Sequence, residues 1–348
     1  MDNCDAGPRP RFVSFSIPRV GLDLDGSLES LGNSMNDLAN ALDATGECAL
    51  VRFHSRTSAT SSDEARLNFR TLWAPLWMRN LGPSLDRLLP PVDVVHVAGR
   101  LTPPTKSIPL IISVDDLRPL RGESREHQRV TQLRRAVSHG ALLVASTRSA
   151  SHEVLSVLGV ERARVVVVPP AVPLVEPTLN GSSLVVNLTG VVKPFLSLAP
   201  GLVAFAKSHD AKVIAVTSAN VAQRIRSRDL EVTLRVRSEA RSALAEARVV
   251  LHISDGARFP SFAIAALAAG VPTIARATTI NRELLSGAAA LTESDDEVMP
   301  LLSELWESPS HRAIVVAAGQ SRAEDFAPAT AARAYAALYR EVVRGWSS

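Results

Sequence analysis

Two adjacent carboxylates, Asp115 and Asp116, are the first residues of this chain whose types suggest chemistry. They follow an apolar run in the segment "ISVDDLRPL", and a carboxylate pair can supply the acid and the base of a proton transfer. His96 closes another apolar run, "VDVVHV", which is the usual position of a site residue in an α/β sheet. A structural interpretation stays open beside the catalytic one. One aspartate then caps the following turn, the other is solvated or pairs with Arg118, and His96 lies in the core or at its rim.

Isolated cations later in the chain are candidates for binding phosphate. Arg258 lies in the stretch "ARFPSFAIAALAAGVP", and a guanidinium group can bind phosphate through two hydrogen bonds at once. We expect Lys193 and Arg276 to point toward the same ligand. The alternative is that Arg258 fills the ligand space itself and is solvated or paired with Asp255. Glu283, which follows the same stretch, is expected to contact backbone N–H groups at a helix start.

The elements that must position these residues are short β-branched runs that alternate with longer helical stretches. In the first half the predicted strands are "RFVSFSI", "CALVRF", "VDVVHV", "PLIISV", "ALLVAS" and "RVVVVP", with helices between them, for example from Leu28 to Ala44 and from Ser149 to Leu158. Each run is short and bounded by turn or polar residues, as buried parallel strands are. This βαβ series predicts an α/β fold with an open parallel sheet covered by helices on both faces.

A proline-rich break separates two such series. The segment "VPPAVPLVEPTLNGSS" cannot continue a helix or a strand and indicates an interdomain connection. The alternation then restarts with the predicted strands "SLVVNLT", "AKVIAVTS", "LEVTLRV", "ARVVLHIS", "VPTIAR" and "AAALT", and a helix closes the chain. Two similar domains joined in this way enclose a cleft, and ligands of such sheets bind beyond the carboxyl ends of the strands.

Composition narrows the function classes. The 348 residues carry 38 basic and 35 acidic side chains, and no basic block, zinc-finger spacing or aromatic RNA-binding signature indicates nucleic acid. Cys4 and Cys48, the only two cysteines, predict neither a metal cluster nor a disulfide. The chain has no apolar run of about 18 residues and no secretion signal, so we expect a cytoplasmic protein.

Four segments, in order and with matching spacing, resemble glycosyltransferase family 4. The resemblance covers the chain from about residue 93 to its end, and loosely from residue 11. Its segments are "ASTRSASHEVLSVLGVERARVVVVPPAVP", "NLTGVVKPFLSL", "RSALAEARVVLHISDGARFPSFAIAALAAGVPTIA" and "NRELLSGAAALTESDDEVMPLLSELW". The family has the GT-B architecture, in which two Rossmann-like parallel αβα domains face each other across a cleft. The resemblance implies an acceptor-side domain over residues 1–175, a nucleotide-sugar domain over 176–327, and a helix over 328–348 that crosses back to the first domain.

Several residues match the donor-binding pattern of the family, and others depart from it. The resemblance places Phe259, Pro260 and Glu283 at the nucleotide sugar, with Lys193, Arg258 and Arg276 as the available cations. The two glutamates that hold the donor sugar and the ribose fall on Ala257 and Ala265, whose methyl groups cannot accept a hydrogen bond.

Two further positions differ from the family. The pair of basic residues that neutralises the leaving diphosphate falls on Phe195 and Leu196, and the acceptor-side histidine falls on Asp115. These differences predict a donor site that is altered in its polar contacts.

Two functions therefore stay open. The resemblance implies a transferase that moves a sugar from a nucleoside diphosphate to a saccharide or lipid-linked acceptor with retention, without a cofactor or a catalytic metal. The altered donor positions favour the alternative, a non-catalytic relative that supports or regulates an active glycosyltransferase partner.

An aromatic and basic stretch, "ARLNFRTLWAPLWMRNLGPSLDRLL", is the remaining distinctive feature. A basic helix with Trp73 and Trp77 on its apolar side can lie at a membrane surface, which would make the protein peripheral there. Pro75 interrupts that helix, which favours the alternative of a helix or lid packed against the first domain.

Overall fold

The structure has two α/β domains, each built on one parallel sheet. It is a computed structural model that describes the following residues: 17–25, 28–29, 32–54, 65–66, 76–77, 79, 81–97, 101–114, 116–122, 127–173, 175, 181–189, 192–226, 228 and 230–346.

The first domain contains a sheet of seven parallel strands among its described residues. In chain order the strands of this domain are β1 (Arg19–Asp23), β2 (Leu28–Glu29), β3 (Gly32–Asn33), β4 (Ala49–His54), β5 (Ala65–Arg66), β6 (Val94–Val97), β7 (Leu110–Val114), β8 (Leu142–Ala145) and β9 (Val165–Val167). The sheet order is β5-β4-β1-β6-β7-β8-β9, while β2 and β3 form a separate antiparallel hairpin.

The second domain repeats this arrangement with six parallel strands. They are β10 (Ser183–Thr189), β11 (Val213–Thr217), β12 (Thr233–Val236), β13 (Ala247–Ser254), β14 (Thr273–Arg276) and β15 (Ala290–Thr292). Their order is β12-β11-β10-β13-β14-β15. In both sheets the order reverses beside the first strand, which is the Rossmann pattern with a topological switch point at the carboxyl ends of the central strands.

Helices cover the sheets, as the βαβ pattern requires. The α-helices of four or more residues within the described part are α1 (Ser34–Thr45), α2 (Leu85–Leu88), α3 (His127–Ser138), α4 (Arg148–Leu158), α5 (Lys193–Ser208), α6 (Ala219–Arg226), α7 (Ala240–Ala245), α8 (Ser261–Ala268), α9 (Thr279–Leu285), α10 (Val298–Glu307), α11 (Pro309–Ala323) and α12 (Pro328–Trp346). None of the helices in the described part is both long enough and apolar enough to cross a membrane.

The start of the first sheet differs from the expectation. "RFVSFSI" was the predicted first strand, but β1 is "RVGLD" at Arg19–Asp23, and residues 11–16 lie outside the described part. Gly21 masks the strand pattern, because glycine has no side chain to contribute. It is useful here: a Cβ at this position would lie 3.3 Å from side-chain atoms of Leu89 and Val95. Helix α1 also begins at Ser34, six residues later than predicted, because the β2–β3 hairpin takes up the intervening chain.

The last helix, α12, packs on the first domain. Its residues Tyr335 and Tyr339 share one buried apolar cluster with Leu22 of β1 and Leu42 of α1. A polar contact lies inside this cluster, where His96 of β6 is 2.7 Å from the Tyr339 hydroxyl. Helix α12 is therefore anchored on the domain that contains β1.

Trp77, one of the two tryptophans in the aromatic and basic stretch, is buried. Its side chain belongs to the large apolar cluster that includes Leu85 and Leu110, and its Nε1 donates a hydrogen bond to the Pro83 carbonyl at 3.0 Å. This burial favours the packed-helix alternative for Trp77. Trp73 lies outside the described residues, so membrane contact through that residue stays a prediction.

Burial of His96 predicts a pH-dependent stability. Its imidazole is fully buried, and burial lowers its pKa from the ordinary 6.5 to about 3. The unfolded chain therefore takes up a proton below pH 6.5 that the folded chain excludes, and stability falls as the pH drops from about 6.5 toward 3. One such proton lowers the free energy of unfolding by about 2 kcal/mol between pH 7 and pH 5.

We expect the His96→Gln variant to lose this pH-dependent part of the free energy of unfolding. The variant should be less stable than the wild type at pH 7, because its amide cannot reproduce both hydrogen bonds, but its deficit should shrink by about 2 kcal/mol at pH 5. Urea unfolding at both pH values measures the difference, with the exposed His152→Gln as control. An equal loss of stability on acidification in wild type and His96→Gln would contradict the prediction.

Candidate functional site

The carboxyl edges of the two sheets meet at the candidate site. Asp116 follows strand β7 of the first domain, and Arg258 follows strand β13 of the second. The two residues form an isolated antiparallel backbone bridge across the domain boundary. Beside it, the backbone N–H of Leu117 donates to the Ala257 carbonyl at 3.0 Å. The expected cleft is thus spanned by direct contacts at this point.

An ion pair reinforces the bridge. Arg258 donates from Nε and Nη2 to Asp116 Oδ2 at 3.2 and 3.0 Å, and only 14% and 19% of the two side chains is exposed. Arg118 donates to the same carboxylate from its backbone N–H at 3.1 Å and from its guanidinium. Burial by itself would raise the pKa of Asp116, but the hydrogen bonds from Arg118 and the positive charge of Arg258 outweigh it and lower that pKa. Asp116 is therefore held as a carboxylate between two arginines.

Arg121 ties the same loop of the second domain to the first. Its guanidinium binds Glu153 of helix α4 at 2.9 Å and also donates to the Gly256 carbonyl at 3.2 Å. Gly256 has a φ of 69°, and a Cβ there would lie 3.0 Å from Thr278. This backbone conformation favours glycine, and it lets the loop after β13 turn toward the first domain.

Glu283 of helix α9 forms a second link between the domains. Its carboxylate accepts hydrogen bonds from the backbone N–H groups of Arg148 and Ser149, at 2.7 and 2.8 Å, and from the Ser149 hydroxyl at 2.6 Å. These donors lie in the first turn of α4, where backbone N–H groups lack partners in their own helix. Burial would raise the pKa of Glu283, but the hydrogen bonds from Ser149 and Arg148 outweigh it and lower that pKa. The predicted contact with a helix start is thus present in the structure, and it joins the two domains.

The loop and helix expected to hold a donor are tightly packed. Residues 261–267 of α8 are buried, including Ala265 at 0% exposure, and Ala257 in the preceding loop is 1% exposed. Phe259 is buried and lies edge-on to Phe326, with ring centroids 5.6 Å apart. Pro260 is also buried and immediately precedes α8. The two alanines therefore belong to the interior, and neither supplies a polar group to the cleft.

Two other candidate cations of the second domain, Lys193 and Arg276, lie near the starts and ends of elements other than the loop that carries Arg258. Lys193 is exposed and is the first residue of α5, and Arg276 ends strand β14. Arg276 pairs with Asp295, which also accepts a hydrogen bond from Ser197 at 3.1 Å. Ser197 lies one helical turn after Lys193, so these residues share one face of α5. Ser197 links this face of α5 to the pair of Arg276 and Asp295, while Arg258 is engaged by Asp116.

Phe195 and Leu196, the residues at the basic-pair position of the family pattern, are part of the second core. Phe195 is 0% exposed, and Leu196 packs against the same cluster. An apolar side chain at these positions in the first turn of α5 cannot neutralise a phosphate. Lys193 and Arg276 stay the predicted cations for that purpose, and Arg276 is paired with Asp295 in the structure.

His96 is not exposed to the cleft in the structure. It is buried within the first domain, with Nδ1 2.7 Å from the Tyr339 hydroxyl and Nε2 2.8 Å from Ser113 Oγ. Both ring nitrogens are therefore occupied by internal partners. Asp115 lies outside the described residues. The catalytic roles of His96, Asp115 and Asp116 stay predictions.

One polar cluster was missed by the sequence reasoning. Asp23 ends β1 and is fully buried, Asp25 follows it, and His54 ends the neighbouring strand β4. His54 Nδ1 lies 3.1 Å from Asp25 Oδ1, and Asp23 Oδ1 accepts the backbone N–H of Asp25 at 3.0 Å. These residues lie at the carboxyl ends of adjacent strands near the switch point of the first sheet. The signal was the sequence "GLDLDG", whose aspartates end the central strand.

The link through Glu283 can be tested with Glu283→Gln. An amide cannot accept the same set of hydrogen bonds, so we expect the first turn of α4 to open more readily, by about 1 kcal/mol. Hydrogen exchange at the Arg148 and Ser149 amides measures this opening at pH 7.

The matched control is Glu293→Gln, which removes an exposed partner of Arg282 and should leave both amides unchanged. The lowered pKa of Glu283 means that its contribution is present at neutral pH and is lost as the pH falls through that pKa. Equal exchange in wild type and Glu283→Gln would rule out the proposed link.

Similar solved structures share this architecture along nearly their full length. HepE from Anabaena, in complex with UDP and glucose, is 15% identical, with a TM-score of 0.63 over 92% of this chain and 99% of that chain. WaaG, a glycosyltransferase involved in lipopolysaccharide biosynthesis, is 13% identical, with a TM-score of 0.66 over 92% of this chain and 98% of that one. Sucrose-phosphate synthase from Thermosynechococcus elongatus is 14% identical, with a TM-score of 0.65 over 94% and 100%.

No protein-family model and no curated protein sequence matches the chain. The structural matches and the two parallel sheets together confirm the expected fold: this chain is a two-domain α/β protein of the GT-B architecture.

Proposed function

We propose that this protein is a member of glycosyltransferase family 4 that binds a nucleoside diphosphate sugar at the carboxyl edge of its second sheet. It transfers the sugar, with retention, to a saccharide or lipid-linked acceptor. The observation that carries the proposal is the placement of Lys193. It begins the 16-residue helix α5, which follows the central strand β10 at the switch point of the sheet.

This position suits a diphosphate for two electrostatic reasons. The amino end of a helix carries unpaired N–H groups and a partial positive charge, which attract phosphate. Lys193 adds a full positive charge, and no ion pair of Lys193 occurs within the described residues. Arg276, at the end of β14, adds a second cation when the diphosphate takes the place of its partner Asp295. The similar structures of HepE contain UDP, and one contains UDP-glucose, which supports a donor of this class.

Departure of the diphosphate is the step that needs these cations. Negative charge grows on the leaving phosphate as the sugar bond breaks, and fixed positive groups that meet this charge lower the barrier. Lys193 and Arg276 supply the charge that Phe195 and Leu196 cannot. With alanine at 257 and 265, the hydroxyl groups of the sugar and ribose must find other acceptors, so the donor is held by fewer carboxylate contacts.

Arg258 becomes available to the donor only when it leaves Asp116. A diphosphate could replace the carboxylate, because both accept the planar pair of hydrogen bonds that a guanidinium donates. The domains would then exchange a direct contact for one through the ligand. In this scheme Asp116 holds Arg258 in place before the donor arrives.

A second function is favoured by the same ion pair. With Arg258 bound to Asp116 and the Ala257 carbonyl bound to Leu117, the loop after β13 is satisfied without a ligand. A protein in this state can keep the GT-B frame without turnover and support an active glycosyltransferase as a binding partner.

Donor binding is tested by isothermal titration with the diphosphates of uridine, guanosine and adenosine and with their glucose conjugates. We expect one of these diphosphates to bind and Lys193→Ala to weaken that binding about tenfold, since a charge-assisted hydrogen bond is lost. Lys207→Ala is the matched control: Lys207 lies in the last turn of the same helix and pairs with the exposed Glu231. Binding that is unaffected by Lys193→Ala would place the donor elsewhere.

Turnover separates the two functions. If the protein is a transferase that recruits Arg258, then Arg258→Ala should slow sugar release from the bound donor by about 10²-fold. Asp116→Asn should strengthen diphosphate binding, because it weakens the competing ion pair. Donor binding without measurable sugar release in the wild type would favour the non-catalytic function. Rapid sugar release that is unchanged by alanine at Lys193, Arg258 and Arg276 would refute the proposed donor site.

A further inference from the structure

A cavity of about 400 Å³ lies at the amino edge of the first sheet, away from the interdomain site. Its lining includes Leu110, the first residue of β7, and Ala141, which immediately precedes β8. Asp116 lies beyond the opposite end of β7. A strand of this length spans roughly 16 Å, so the cavity and the interdomain contact lie on opposite edges of the sheet. The volume falls in the range of about 300–1,000 Å³ that is usual for small-molecule pockets.

Two tryptophans form much of the apolar wall. Trp77 is buried, whereas Trp346 at the end of α12 is 43% exposed, and Leu81 at the same cavity is 55% exposed. The indole N–H groups are both engaged, Trp77 with the Pro83 carbonyl and Trp346 with the Ser107 carbonyl at 3.2 Å. The rings therefore present carbon surface to the cavity. Large apolar side chains exposed around a concave site indicate a ligand or partner surface.

The polar part of the lining is basic. Lys106, Arg135 and His139 line the cavity, and its described lining contains no aspartate or glutamate. His139 is oriented by its Nδ1, which lies 2.8 Å from the Arg135 carbonyl. The carboxyl end of α3 lies here too, but its partial charge of about −0.5 is smaller than the two full positive charges of Lys106 and Arg135. The charged side chains that line the cavity therefore favour an anion.

The loop that carries Lys106 is held in place before any ligand binds. Asp86 accepts the backbone N–H groups of Lys106, Ser107 and Ile108 at 2.8 to 3.1 Å, and also the Ser107 hydroxyl. The Asp86 carboxylate is therefore occupied by the loop backbone. A pocket whose walls are fixed in advance loses less entropy when a ligand binds.

We propose that this cavity binds a small amphiphilic anion, in which a phosphate or carboxylate head is joined to an apolar chain or ring. The head meets Lys106 and Arg135 at the rim, and the apolar part lies against Trp77, Trp346 and Leu110. The site is separate from the nucleotide-sugar cleft. It offers few groups for sugar hydroxyls, because its uncharged hydroxyl and amide side chains are only those of Thr102, Thr105 and Gln132 among the described lining residues. Thr102 already accepts a hydrogen bond from Arg129 at 2.7 Å.

Octyl phosphate is the probe, titrated below the concentration at which it forms micelles. Isothermal titration should show one saturable site, with tryptophan fluorescence changing in parallel. Octanol and inorganic phosphate should each bind at least about tenfold more weakly, because each lacks one half of the required chemistry.

Arg135→Ala and Trp346→Ala should each weaken octyl phosphate binding about tenfold. Arg333→Ala, which removes an exposed arginine of α12 that does not line the cavity, should not change it. Circular dichroism checks that the variants remain folded, and Lys106→Ala provides an independent variant on an exposed loop residue.

Three outcomes would overturn the proposal. The first is an absence of saturable octyl phosphate binding, and the second is equal binding of octanol. The third is binding to phosphatidylglycerol vesicles without binding to soluble octyl phosphate, which would indicate a membrane surface instead of a pocket. Binding of octyl phosphate that is lost in Arg135→Ala and kept in Arg333→Ala supports the proposed site, whether the natural anion is free or extracted from a lipid.

Discussion

The partly buried ion pair between Asp116 and Arg258 is the contact on which the arrangement of the candidate site depends. It joins the carboxyl edges of the two sheets, beside the backbone hydrogen bond from Leu117 to Ala257. A carboxylate and a guanidinium removed from water are stable only with each other or with equivalent partners. Any ligand that separates the two residues must therefore replace what each one loses. A diphosphate can do this for Arg258, while Arg118 still compensates Asp116.

Around this pair, both apolar packing and polar contacts hold the two domains together. The large apolar cluster is continuous from the first domain into the second and includes Phe259 and Phe326, so the domains share buried surface. Glu283 and Arg121 add hydrogen bonds to backbone groups of the opposite domain. Such contacts are directional, and they define one relative orientation where burial of apolar area alone would accept several.

Helix α12 contacts both the buried cluster around His96 and the cavity at the amino edge of the first sheet. Tyr335 and Tyr339 pack against the first sheet, and the Tyr339 hydroxyl is hydrogen-bonded to His96. Trp346 at the end of the helix forms part of the wall of the cavity at the amino edge. The buried hydrogen bond between His96 and Tyr339 ties this helix to strand β6. A ligand in the cavity would therefore contact an element that is anchored in the core of the first domain.

The sequence by itself determined the two-domain α/β architecture, because buried parallel strands need continuous β-branched runs and their connections need helices. All six strands predicted for the second domain lie where the structure has them, although the first strand was missed since Gly21 interrupts its pattern. The sequence also showed that Ala257, Ala265, Phe195 and Leu196 cannot make polar donor contacts, since this follows from residue type alone.

Only the tertiary structure decided which charged groups meet. Asp116 and Arg258 are separated by 142 positions in the chain, as are Glu283 and Ser149 by 134. His96, placed at a strand end by its sequence, faces Tyr339 from the last helix. Such pairings depend on how the sheets and helices are positioned in space, and a single sequence read for local periodicity and residue type carries no record of those distances.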